Sequence, residues 1–186
     1  SYPNNDTDAM ANTVKQVLTY MIDRFKAWYE DENIPTEVFL AVAEKQLSNP
    51  LDIHQRVLAV HTFNQLSEAA ALASANKRVS NILAKQEGNN VPAKVDNTLL
   101  ADDAEKALAL SLAELSNVVK PLKQDRDYTD MLKQLAKLRR PVDTFFDDVM
   151  VMVDDEALRN NRLALLQQLR NLFLEVADIS LLAPAK

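Results

Sequence analysis

The stretch that decides the fold is residues 154–180, which read DDEALRNNRLALLQQLRNLFLEVADIS. Its apolar side chains recur at steps of three and four, the spacing of one face of an amphipathic helix. Acidic residues open it, at the end where a helix dipole favours negative charge. The expected buried seam comprises Leu158, Arg162, Leu165, Leu169, Leu172, Val176 and Ile179, widened by Leu166 and Phe173. The pattern therefore predicts one long helix with a buried face.

One member of that seam, Arg162, does not suit a hydrophobic core. A guanidinium among apolar side chains needs a carboxylate, another anion or water. We predict a structural ion pair between Arg162 and an acid on a neighbouring helix, Asp143 or Asp147, with Asp143 as the first choice. Arg159 lies close by on the same side and is then the arginine of this helix that remains to meet a ligand.

Composition indicates an all-helical protein. The chain has 186 residues, 47% of them hydrophobic, which is enough for a real core. Gly88 is the only glycine, so sheets joined by tight turns are disfavoured, and glycine-rich phosphate loops are excluded. Alanine and leucine dominate, and both favour helix. We predict an all-α helical bundle of about eight helices.

Cysteine chemistry is excluded, because the chain has no cysteine to form a disulfide, a thiolate zinc site or a nucleophile. No run approaches the roughly 20 apolar residues of a membrane span. The net charge of −6 is uneven: residues 1–75 carry 5 Lys/Arg against 10 Asp/Glu, and residues 76–186 carry 16 against 17. This acidity argues against non-specific DNA coating but leaves room for a local basic face.

Capping signals place several helix starts. Asn49 followed by Pro50 combines a cap with a proline at the first helical position. Asp102 followed by Glu105 matches a capping box. Ser67 is expected to cap a helix over residues 68–86.

Two prolines are expected to interrupt helices. Pro121 is predicted to bend or end early the helix that follows Asp102. The Arg140-Pro141 pair is predicted to force a break before a short apolar helix at 142–150. Residues 89–97 form the longest stretch without helical periodicity, and they are either a domain boundary or a surface loop within one domain.

A first group of polar side chains lies on one helix, opposite its buried seam. The group consists of Lys77, Arg78, Asn81 and Lys85. Cations can hold phosphates, and an asparagine amide can hydrogen-bond to a base edge. A solvated face near a helix C-terminus has the same composition, and spacing alone favours that second interpretation.

A second group forms another stripe. It consists of Lys133, Lys137 and Arg140, with Arg139 beside them. The two arginines could face phosphates, or they could complement a helix dipole and pair with nearby acids. Those acids are Asp143, Asp147 and Asp148. The stripe alone leaves both interpretations open.

The two histidines, His54 and His61, share a helix face, with Asp52 nearby. A zinc site needs more ligands than this helix offers, so we interpret both histidines as partly exposed surface residues. No serine shows a recognisable arrangement with a histidine and an acid. The residues by themselves therefore indicate a helical binding module without a catalytic site.

Four motifs, in order, carry a family resemblance. They are NPLDIHQRVLAVHTF at 49–63, ANKRVSNILAK at 75–85, RRPVDTFFDDVMVM at 139–152 and ALRNNRLALLQQLRNLFLEVADIS at 157–180. Together they resemble the C-terminal part of the β subunit of the bacterial heterotetrameric glycyl-tRNA synthetase. The resemblance spans nearly the whole chain and is densest from Ala75 to Ser180.

The resemblance implies two parts. Residues 75–186 look like the anticodon-binding helical bundle of that family, of the type shared with arginyl-tRNA synthetase. Residues 1–74 look like the helical segment that follows an HD-type domain, which would lie upstream and outside this chain.

The resemblance also implies the chemistry and the partners. Glycine activation in this family belongs to the α subunit, so ATP and Mg are expected there. No cofactor, metal or catalytic residue is expected in this chain. The implied partners are glycine tRNA and the α subunit of an α2β2 tetramer in the cytoplasm, without DNA or membrane. A helical assembly scaffold without direct RNA contact is the alternative.

Within the resemblance, the candidate tRNA contacts are cations and amides of the matching motifs. Cations hold the backbone of a single-stranded loop while its bases are read on their edges. The predicted contacts are Lys77, Arg78, Asn81, Lys133, Lys137, Arg139, Arg140, Arg159 and Asn160.

Overall fold

The computed structural model describes residues 13, 17, 20, 21, 23–86 and 94–184. Every regular element in these residues is a helix, which confirms the all-α prediction. The helices are α1 at 23–31, α2 Thr36–Ala43, α3 Pro50–Asn64, α4 Ala69–Ala84, α5 Asp103–Gln124, α6 Tyr128–Leu135, α7 Arg139–Asp148 and α8 Glu156–Leu174. Short 3-10 helices cover Asn97–Leu99, Ala136–Leu138 and Ile179–Leu182. No helix in this part of the chain is long and apolar enough to cross a membrane.

The last long helix, α8, packs against α4, α5 and α6. Leu165, Leu169 and Phe173 on its predicted seam are almost completely buried, as expected from the three–four spacing. Leu158 and Leu172 are only half-buried. The seam therefore predicts the buried face of α8 but not how deeply its two edges are covered.

The predicted end of this helix near residue 180 is wrong, because α8 stops at Leu174. The chain then turns, and the backbone N–H of Asp178 donates to the carbonyl of Ala41, 2.8 Å away on α2. The Asp178 carboxylate accepts hydrogen bonds from Ser180 and from Arg170. An aspartate that bonds to nearby backbone competes with helix continuation, which explains the early stop.

Two of the three predicted caps are confirmed. The Asn49 side chain accepts hydrogen bonds from the N–H groups of Leu51 and Asp52 at 3.0 and 3.2 Å. Asp102 and Glu105 form the predicted capping box of α5. The third prediction, that Ser67 caps the next helix, is wrong.

Helix α4 is capped at Glu68 without a side-chain cap hydrogen bond. The Ser67 hydroxyl donates instead to the carboxylate of Glu68, at 3.0 Å. No side chain therefore caps the start of α4.

Neither proline ends a helix where predicted. Pro121 lies inside α5, which continues to Gln124. Both Pro121 and Asn117, whose carbonyl loses its helical partner, are exposed, so water can replace that hydrogen bond. Pro141 lies in the first turn of α7, where a helix needs no N–H donor, so the predicted break at Arg140-Pro141 does not occur. The irregular turn comes earlier, at Ala136–Leu138.

The predicted structural role of Arg162 is supported, but its predicted partner is wrong. Arg162 is 5% exposed, and its Nε donates to the carboxylate of Glu105, which is completely buried. Its Nη2 lies 2.7 Å from Asp102, and its Nη1 donates to the carbonyl of Met150 at 2.7 Å. Asp143 pairs instead with Arg139 on its own helix, at 3.6 Å.

The capping box explains why Glu105 is the partner. One carboxylate oxygen accepts from the N–H groups of Ala101 and Asp102, at 2.7 and 2.8 Å, at the start of α5. The other oxygen remains for Arg162. A single side chain therefore caps α5 and attaches it to α8.

A second buried arginine, Arg56, was not singled out from the sequence. It is 8% exposed, and its Nε donates to Asp52 at 2.9 Å. Its Nη1 donates to the carbonyls of Glu175 and Val176, and its Nη2 to the hydroxyl of Tyr128. The cluster joins α3 and α6 to the turn after α8. The spacing of Asp52 and Arg56, four residues apart on one helix, was the available signal.

We expect Arg162→Ala to lower the free energy of unfolding by about 3–5 kcal/mol, because it leaves the Glu105 carboxylate buried without its cation. Urea unfolding of the two proteins measures the difference. Arg140→Ala, at an exposed position, is the matched control and should change the free energy of unfolding by less than about 0.5 kcal/mol. Equal losses in the two variants would contradict a structural role for Arg162.

The Glu105 carboxyl also predicts a pH dependence. Burial by itself would raise its pKa, but hydrogen bonds from Arg162 and from the N–H groups of Asp102 and Ala101 outweigh burial and lower the pKa below its ordinary 4.5. Such a group stabilises the fold above its unfolded pKa and loses that contribution as pH falls through the folded pKa.

We therefore expect Glu105→Gln to be less stable than the unchanged protein at pH 7, and the gap to shrink below pH 4.5. Urea unfolding at a series of pH values from 7 down to acid measures the gap. A gap that stays constant over this series would show that ionised Glu105 does not stabilise the fold.

Candidate nucleic-acid interface

The first predicted group of cations lines a cleft, which we call the α4 cleft. Its volume is about 490 Å³. One side is formed by the exposed face of α4, opposite the buried Leu72 and Val79, and the other by residues close to the end of the chain. The lining residues are Ser74, Lys77, Arg78, Asn81, Ile82, Lys85, Ala183 and Pro184. The three–four spacing on α4 thus brings three cations and one amide to a single concave surface.

Two of these cations have defined partners. The guanidinium carbon of Arg78 lies over the Phe146 ring of α7, 4.3 Å from its centroid. The ammonium of Lys77 donates to the carbonyl of Pro184 at 3.2 Å. The other two polar side chains, Asn81 and Lys85, are exposed and make no hydrogen bond or ion pair with any residue that the structure describes. They are available to a ligand.

The second predicted group has partners of its own. Lys133 pairs with Asp130 at 3.2 Å. Lys137 donates to the side-chain oxygen of Gln134. Arg140 is exposed and forms no ion pair within residues 23–86 and 94–184.

Contacts between α4 and α7 connect the two groups. Arg139, at the start of α7, donates to the carbonyl of Ser67, just before α4, at 3.4 Å. Further along both helices, Arg78 lies over Phe146. The two helices therefore lie side by side and run in the same direction, with Arg139 near one end of the pair and the α4 cleft near the other.

The third predicted group is bound to the protein's own backbone. Arg159 is half-buried and donates to the carbonyls of Val153 and Asp154 at 2.8 and 3.4 Å. Asn160 is half-buried. The structure does not bring this pair into the lining of the α4 cleft.

Asn161, which the sequence did not single out, holds the loop beside it. Its side-chain oxygen accepts from the N–H of Asp96 at 2.7 Å, and its amide nitrogen donates to the Asp96 carbonyl at 2.9 Å. These two hydrogen bonds make Asn161 a structural residue, in the same motif as the predicted contacts Arg159 and Asn160.

The histidines lie on α3 and are not among the residues that line the α4 cleft. His54 Nδ1 forms a hydrogen bond with the hydroxyl of Tyr29 at 3.0 Å, and burial raises the pKa of Tyr29 to about 12. His61 Nε2 lies 3.1 Å from the amide nitrogen of Gln65. The described residues contain no group of three or more His, Asp or Glu side chains suited to a metal ion.

The similarity to known proteins covers nearly all of the chain. It is 57% identical over 174 residues to the "Glycine--tRNA ligase beta subunit" of Marinobacter nauticus, covering 94% of this chain and 25% of the relative. The protein of the same name in Shewanella amazonensis is 54% identical, over 96% of this chain and 26% of the relative. The one from Aeromonas hydrophila is 57% identical, covering 91% of this chain and 24% of the relative.

The chain therefore spans about a quarter of the length of the curated relatives it matches. These similarities confirm the resemblance to the β subunit of glycyl-tRNA synthetase. The profile of the DALR anticodon binding domain matches residues 72–180, which include the α4 cleft cations, Phe146 and all of α8. With more than half of its residues inside that match, the chain belongs to the DALR anticodon binding domain family.

Proposed function

We propose that this chain grips the anticodon arm of glycine tRNA as part of a glycyl-tRNA synthetase β subunit. The observation that carries the proposal is the α4 cleft, a concave surface lined by three cations and a free amide that all lie inside the DALR match. Single-stranded loop bases can be splayed into such a surface while cations hold the backbone.

Ion pairing separates the cations available to phosphate from those already used. Lys133 and Arg139 each pair with a carboxylate, so part of their charge is neutralised locally. Across the part of the chain that the structure describes, the predicted contacts without an ion pair to a carboxylate include Lys77, Arg78 and Arg140. We infer that these residues and Lys85 supply most of the attraction to RNA phosphates.

The acidic net charge of −6 does not oppose this role. Several acids are used inside the fold: Glu105 and Asp52 bind buried arginines, and Asp178 binds Arg170. A local patch of free cations attracts RNA over distances of about a Debye length, roughly 8–10 Å at moderate salt. Binding should therefore depend strongly on salt.

The remaining inferences concern the larger protein. We infer that it contributes to ATP-dependent ligation of glycine to tRNA, with ATP and Mg bound by an α subunit and no catalytic residue in this segment. An α2β2 tetramer in the cytoplasm is the proposed assembly. A division between residues 1–74 and 75–186 stays a proposal, and helix α4 runs through that position.

A scaffold role without RNA contact is the second candidate, and exposed side chains in and just before helix α1 support it. Tyr20 and Trp28 are 61% and 46% exposed, and Met21 is 37% exposed beside Arg24. Exposed aromatic residues, Met and Arg are enriched at protein interfaces. Because the chain spans a quarter of its relatives' length, the remainder of a β subunit is the partner we assign to this face.

A binding measurement separates the two candidates. We expect the full-length β subunit that contains this segment to bind glycine tRNA more tightly than the same tRNA with its anticodon bases exchanged. The logarithm of affinity should fall linearly with that of salt, by about 0.7 for each phosphate contacted on a single strand. Equal or salt-insensitive binding to both tRNAs would favour the scaffold candidate.

Charge reversal tests the proposed cations. We expect Arg78→Glu combined with Arg140→Glu to weaken binding of glycine tRNA more than tenfold and to reduce the salt slope by about 1.4, because two positive charges that attract the RNA phosphates are lost. Lys106→Glu, an exposed cation on α5, is the matched control and should leave the affinity nearly unchanged. All three side chains are exposed, so thermal unfolding should be similar in every variant. Unchanged affinity in the double variant would remove these residues from the interface.

A further inference from the structure

We propose that the α4 cleft receives one unpaired nucleotide of the RNA and that its base stacks on the Arg78 guanidinium, which Phe146 holds in position. This inference rests on the proposed tRNA binding and specifies one type of contact, base stacking. It assigns a role to Phe146, which was not among the predicted contacts.

The support for Arg78 begins in the hydrophobic core, with Phe145. Phe145 is completely buried, and its ring meets that of the neighbouring Phe146 edge to face, with centroids 5.5 Å apart and planes at 77°. Phe146 is half-buried and packs against the core. Because Phe145 is completely buried, its contact limits the orientations that the Phe146 ring can adopt on the surface of α7.

Arg78 is held on that ring. Its guanidinium carbon lies 4.3 Å from the Phe146 centroid, well within the distance for a cation–π contact. The next residue on α4, Val79, is completely buried, so the backbone that carries Arg78 is fixed as well. A long side chain that is normally mobile is therefore ordered before any ligand arrives, which lowers the entropic cost of binding.

The other side of Arg78 is open to the α4 cleft, since the side chain is exposed and lines it. Guanidinium planes are surfaces on which unpaired RNA bases stack. The cleft volume of about 490 Å³ falls within the range of about 300–1,000 Å³ for small-ligand sites. It is suited to a single nucleotide rather than to a duplex.

Polar groups lie around the Arg78 guanidinium at positions from which they can contact a nucleotide. Asn81 lies one turn after Arg78 and can both donate to and accept from a base edge. Lys85 is exposed a further turn along and can hold a flanking phosphate. The opposite wall of the cleft includes Pro184, whose carbonyl accepts a hydrogen bond from Lys77 of α4.

An acidic peptide could also use these cations, but it has no flat base to place on Arg78. The stacked arrangement therefore favours RNA, and it supplies the test. A lysine at position 78 keeps the positive charge and removes the planar group. Charge and stacking can thus be separated in one substitution.

We expect Arg78→Lys, in the full-length β subunit, to weaken binding of glycine tRNA about tenfold, the scale of one stacked base, with an unchanged salt slope. Lys85→Gln is the charge control and should reduce the salt slope by about 0.7. Phe146→Leu should weaken binding about as much as Arg78→Lys, since the guanidinium loses its support. The two changes together should cost no more than either alone, because they disrupt one unit.

Phe146→Tyr keeps the ring and should restore the affinity, which guards against a general folding defect in Phe146→Leu. Wild-type affinity in Arg78→Lys, or additive losses in the double variant, would overturn the stacking role. Loss in Arg78→Lys that is explained by a smaller salt slope would indicate a charge contact only and would also overturn it. If the unchanged protein fails to distinguish anticodons, the proposed function fails; if it distinguishes them and Arg78→Lys does so equally well, only this inference fails.

Discussion

The buried pair between Arg162 and Glu105 is the constraint on which the rest of the bundle depends. Glu105 is completely buried and serves two partners, the backbone at the start of α5 and the guanidinium on α8. A buried charge is tolerated only when it is paired and hydrogen-bonded, so this pair restricts the relative position of the two helices. Helix α8 contacts α4 as well, so that position also helps to place the α4 cleft.

A second arginine performs the same task at the other end of α8. Arg56 donates to the carbonyls of Glu175 and Val176, just after α8 has ended. It also donates to the Tyr128 hydroxyl and to Asp52. Free carbonyls at a helix end need donors, and a guanidinium supplies several in a fixed geometry. Both ends of α8 are therefore attached to the bundle through arginines, in a protein that is acidic overall.

This use of charge explains how an acidic chain presents a basic cleft. Carboxylates such as Glu105, Asp52 and Asp178 are turned inward onto arginines or helix ends. The α4 cations Arg78 and Lys85 form no ion pair with any described carboxylate. Net charge therefore says little about this surface, whereas the distribution of ion pairs shows which cations can still attract phosphate.

The sequence by itself determined the helical class, the buried face of α8, two helix caps and the cation stripe on α4. These are short-range properties, because periodicity and capping involve residues within four positions of each other. Only the tertiary structure decided that Arg162 meets Glu105, 57 residues away, rather than Asp143, and that Phe146 from α7 lies under Arg78. Such pairings depend on how helices that are distant in the chain pack together, and the local spacing of residues does not specify that geometry.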